Sequence, residues 1–111
     1  MKDLKISKEL ASEVFKLNVC ETYIENNKLY FDMELPLIQN INIYEFAYKC
    51  KEWALNKGSY INCFYNEFWW DRVEKKYTAD IPSKNKSFYE DTEIEAIIKA
   101  CEWILKNKAN D

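Results

Sequence analysis

The chain has no histidine, a single glycine and a single arginine among 111 residues. Without histidine there is no Ser-His-Asp or Cys-His machinery, no H-E-x-x-H metal site and no imidazole proton shuttle. With Gly58 as the one glycine, neither a G-x-G-x-x-G turn nor a P-loop is present, and nucleotide binding by either motif is excluded. No apolar run approaches the roughly 18 residues that a membrane span requires. The first fifteen residues, MKDLKISKELASEVF, set acids among lysines and lack the continuous apolar segment of a secretory signal. A cytoplasmic location without membrane contact is the expectation.

Cysteine chemistry is sparse as well. Cys20, Cys50, Cys63 and Cys101 are irregularly spaced, with no C-x-x-C pair and no histidine to complete a zinc set. Cys50 and Cys101 fall on the apolar stripes of predicted helices, where a free thiol behaves as a small hydrophobe, so buried thiols are expected rather than disulfides. Carboxylates are the remaining candidates for chemistry, and Glu90, Asp91, Glu93 and Glu95 are their densest local group. Acids gather at helix N-termini for structural reasons, and no EF-hand spacing accompanies them. The reading is therefore of no catalytic residues, no cofactor and no metal.

What is present is an ordinary globular composition, 48% hydrophobic and 32% charged, with a formal net charge of −3 and an unusual load of aromatic rings. The length suits one hydrophobic core, a single domain over residues 1–111. Ser7 caps a short helix at about Lys8 to Leu17, with Leu10, Val14 and Leu17 on one face. Val19 to Glu25 and Lys28 to Leu35 read as strands about Asn26-Asn27, a pair that tolerates the positive φ of a type I′ turn. Pro36 ends the second strand. Asn42-x-x-Glu45 resembles a capping pair for a helix from Ile43 to Asn56, closed by Gly58 at a left-handed position. Tyr60 to Tyr65 and Phe68 to about Ile81 read as a second hairpin turning near Asn66-Glu67, and Pro82 closes its long arm. A short strand near Ser87 to Tyr89 leads to Thr92, which caps a last helix running to about Lys106, with Glu95 placed to reach back. Lys106 and Lys108 suit the negative end of that helix. The expected fold class is α+β, an antiparallel sheet with packed helices in the order α-β-β-α-β-β-β-α.

The second hairpin carries the densest aromatic group: Tyr60, Phe64, Tyr65, Phe68, Trp69, Trp70 and Tyr77, with Arg72, the one arginine, among them. On a strand, Trp69 and Trp70 point to opposite faces, so at most one joins a helix-covered core. The other packs under a loop, against the N-terminal hairpin or on a neighbouring tyrosine, or stands beside Arg72 as a hot spot for a protein partner. Tyr65, Trp69, Trp70 and Arg72 are the candidate partner-binding residues. A homodimer through a free sheet edge or an exposed indole competes for the same patch. Base stacking is the alternative use of such rings. The hairpin's charges, Glu67, Asp71, Arg72, Glu74, Lys75 and Lys76, cancel, whereas a groove that tracks phosphates is basic. The segment from Ile43 to Lys106 has the element order of a double-stranded-RNA-binding domain. Asp91, Thr92, Glu93 and Glu95 stand where that family carries a lysine cluster.

Two stretches, INIYEFAYKCKEWALNKG (41–58) and FYEDTEIEAIIKACEWILKN (88–107), resemble a set of small phage and prophage proteins of no established activity. The second is also similar to the end of the phage ABA sandwich domain. The match covers about half of the chain, mostly at capping and core positions, and implies a mobile-element origin. The expectation is a non-enzymatic phage or prophage accessory protein that works by binding another protein, an inhibitor of a host defence system being one such role. The alternative is a nucleic-acid-associated domain of double-stranded-RNA-binding-like shape.

Overall fold

Alternation over Leu29, Tyr30, Phe31 and Asp32 demands a strand with one dry face, and a strand forms there. The computed structural model of the chain describes residues 4–33, 38–66 and 76–107. In it, helix α1 (Lys8–Phe15) precedes strand β1 (Val19–Glu25), which pairs antiparallel with β2 (Lys28–Met33) about Asn26 and Asn27 at φ 51° and 61°. Both turn residues occupy the left-handed region that a two-residue type I′ connection requires. The expected continuation of β2 to Leu35 and its stop at Pro36 lie outside the described residues.

A strand that the pattern did not announce completes this sheet. β3 (Ile38–Asn42) pairs antiparallel with β2, giving the order β1-β2-β3. Its sequence, Ile-Gln-Asn-Ile-Asn, sets its two isoleucines three apart, without period-two alternation and with Gln39 and Asn40 between them, and the neighbouring ladder draws it into the sheet. At its end Asn42 accepts a hydrogen bond through Oδ1 from the Tyr44 amide at 2.8 Å, starting helix α2 (Ile43–Asn56). Gly58 sits at φ +83°, with its amide donating to Leu55 and the Ser59 amide donating to Ala54, the paired bonds of a Schellman ending.

The second half is a separate three-stranded antiparallel sheet, β4-β5-β6, made of β4 (Asn62–Tyr65), β5 (Tyr77–Ile81) and β6 (Lys86–Glu90). The expected single sheet is thus two sheets, and the order is α-β-β-β-α-β-β-β-α with a short 3-10 turn, Pro82–Lys84, before β6. The second hairpin also has a different register from the one expected. Tyr65 pairs with Tyr77, and the Asn66 amide donates to the Lys76 carbonyl at 2.7 Å, so the arms close at 66 and 76 and not at a two-residue turn. A row of strand-forming aromatics carries no local mark of where pairing resumes. The buried face decides it, bringing Cys63, Ala79 and Phe88 into line beneath helix α3 (Glu93–Asn107).

α1 lies on β1, α2 on β2 and β3, and α3 across the second sheet, while α2 and α3 pack on each other. One hydrophobic cluster runs through all of them, from Leu10, Leu29 and Phe46 to Ile81, Ile98 and Ile104. Phe15 bridges the first half, stacked on Phe31 at 4.5 Å and tilted on Phe46 at 5.4 Å. At the α2–α3 contact the Cys101 thiol donates to the Cys50 carbonyl at 3.5 Å, and all four cysteines are free. Cys50 and Cys101 are buried, as their stripe positions require. Among the described residues no helix is long and apolar enough to cross a membrane.

Candidate functional site

Of the four residues proposed from sequence, Tyr65 is described; Trp69, Trp70 and Arg72 lie outside the described residues. Tyr65 ends β4, an edge strand of the second sheet. Successive side chains on that strand alternate faces, so Tyr65 shares the α3 side with Cys63. Cys63 lies under the helix, whereas Tyr65 and its ladder partner Tyr77 fall just beyond the helix N-terminus. The Tyr65 ring is 54% exposed and meets Tyr77 edge-on, centroids 5.4 Å apart at 70°.

Tyr44, in the first turn of α2, faces these two rings across a cleft of about 450 Å³ that Lys76, Thr92, Glu93 and Ile94 also line. From Tyr44 the exposed surface continues along the helix through Tyr48 to Leu55, spaced four and seven apart and therefore on one face. Their exposures of 59%, 66% and 58% place them outside the core, which takes Ile43, Phe46, Ala47, Cys50, Trp53 and Ala54. Sequence reasoning missed this stripe. The signal was present, because three large, mostly apolar residues cluster about 135° from the centre of the apolar face of α2 at 100° per residue.

The acidic group at the start of α3 is accounted for by structure. Thr92 Oγ1 accepts from the Glu95 amide at 3.2 Å and donates to the Glu95 carboxylate at 2.8 Å, so Glu95 answers the cap hydroxyl where the cap amide was expected. Glu90 forms an ion pair with Lys99. Among the described residues there is no group of three or more Cys, Asp or Glu side chains able to hold a metal. Glu93 acts on Cys63 instead. Burial, and then the Glu93 charge, push the Cys63 thiol up to about 11, with Lys51 of α2 opposing.

Comparison with protein-family models, curated proteins and solved structures finds no match to this chain. The functional reading therefore stands on these residues.

Proposed function

We propose that the chain is a non-enzymatic binding module whose partner is a protein, acting as a phage- or prophage-type accessory factor. The observation that carries this reading is the tyrosine cleft of Tyr44, Tyr65 and Tyr77 running into the Tyr48–Leu55 stripe. Large rings held half-exposed around a concavity offer contact area at low entropic cost, the property that makes tyrosine common among binding hot spots. The sequence resemblance of 41–58 and 88–107 to phage proteins supplies the biological setting, and a host-defence protein is the partner class that setting suggests. Acids at the entry to α3 weigh against the nucleic-acid alternative, since they repel phosphate.

The test is capture of a protein from nuclease-treated bacterial lysate, compared between the native chain and a Tyr44→Ala/Tyr48→Ala variant. Both positions are exposed, so circular dichroism and melting should be unchanged while capture falls about tenfold or more. Capture that requires nucleic acid, or that survives loss of both rings, sinks the reading.

A further inference from the structure

The outer face of the first sheet presents a three-by-three grid fixed by its register. Glu21, Asp32 and Ile38 form one row, Tyr23, Tyr30 and Asn40 the next, and Glu25, Lys28 and Asn42 the third. Helices cover the opposite face, through Val19, Leu29 and Phe31. Tyr23 and Tyr30 lie flat on each other at the centre, 4.9 Å apart and 5° from parallel, with Tyr23 51% exposed.

The rows differ in how their charges are matched. Glu25 lies directly opposite Lys28, a complementary cross-strand pair. Glu21 lies directly opposite Asp32, two carboxylates on adjacent strands, and neither has an ion pair or side-chain hydrogen bond among the described residues. Like charges facing each other across a ladder destabilise it. A local choice against stability, beside a stacked aromatic pair on an open face, is the mark of a surface awaiting a counter-charge.

We propose that this face binds an extended, arginine- or lysine-bearing peptide segment of a partner protein. A guanidinium set between Glu21 and Asp32 donates hydrogen bonds to both carboxylates while its neighbour packs over the tyrosine rings. Charge rules out other occupants. Three carboxylates, Glu21, Glu25 and Asp32, against Lys28 leave the grid at −2, which repels both phosphate backbones and a second copy of the same face. Size selects a segment over a globular domain. Three strands by three alternate residues span roughly 10 by 14 Å between outer Cα positions, well short of the ~800 Å² per partner of a stable globular interface. The surface is distinct from the tyrosine cleft, and either can fail without the other.

The experiment titrates the full chain with a capped four-fold Arg-Thr repeat and with its Glu-Thr counterpart, following backbone amide shifts by NMR. The cationic peptide should bind, weaken with salt, and move amides within β1, β2 and β3. Tyr23→Ala and Tyr30→Ala should each weaken it about two- to five-fold, Tyr23→Phe should not, and Tyr48→Ala should leave it unchanged. Glu21→Gln with Asp32→Gln should weaken it further and flatten the salt dependence; these polar replacements carry the test should either alanine variant fold poorly. Equal binding of the two peptides, shifts confined to another face, or no loss in the Gln variant overturns the proposal. So does a homodimer in light scattering that protects Tyr23.

Discussion

A thiol held half-buried beside a carboxylate resists ionisation, and Cys63 is placed so, beneath α3 with the Glu93 charge nearby. Burial is the larger cause and Glu93 the next, and together they raise it from 9.0 to about 11. In a Cys20→Ser background, which removes the exposed thiol, alkylation of Cys63 by iodoacetamide should titrate with a midpoint near 11. Glu93→Gln should lower that midpoint without returning it to 9.0, since burial remains. The same shift has a consequence for stability. The folded chain keeps the neutral thiol and the unfolded chain does not, so the contribution is complete below about 9 and is lost as pH rises towards about 11. Burial raises the Cys50 thiol too, with the same sign. Chemical denaturation across that range should show a shallower alkaline loss in Cys63→Ala than in the native chain.

At the scale of elements, the helix ends make their own contribution to stability. Gly58 holds φ +83°, and a Cβ built there meets nothing within 4 Å, so the cost of Gly58→Ala is conformational and not steric crowding. Urea unfolding should show a loss of about 1–2 kcal/mol for Gly58→Ala. Thr92→Ala removes the hydroxyl bonded to the Glu95 amide and carboxylate and should cost about 1 kcal/mol by the same measurement. A Gly58→Asn variant should recover part of the first loss, since asparagine tolerates the left-handed region, as Asn26, Asn27 and Asn85 do here. These caps were legible because capping is a local event among three or four neighbours. Strand β3 was not, because Gln39 and Asn40 carry no preference that survives without β2 beside them.

For the whole molecule, the decisive feature is that two sheets, which share no ladder among the described residues, are joined through helices. Phe46 is fully buried on α2, against Phe15 on the side of the first sheet, while Cys50 on the same helix meets Cys101 of α3 on the second. Phe46→Ala should therefore lower stability by about 3–5 kcal/mol and do so for both halves at once. Hydrogen exchange in β2 and β5 should accelerate together, in a single urea transition. Separate transitions would show that α3 and the second sheet stand on their own.

The sequence by itself determined the α+β class, the first hairpin with its Asn-Asn turn, the extent of α2 to the residue, the caps at Ser7, Asn42 and Thr92, and the burial of Cys50 and Cys101. Each follows from neighbours three or four apart, or from a periodicity that only one environment satisfies. Tertiary structure decided the division into two sheets, the strand β3, the pairing of Tyr65 with Tyr77, and the meeting of Tyr44 with Tyr65 and Tyr77 around one cleft. Those depend on which distant segment supplies a hydrogen-bonding edge or a buried face, and a local pattern of side chains carries no record of that choice.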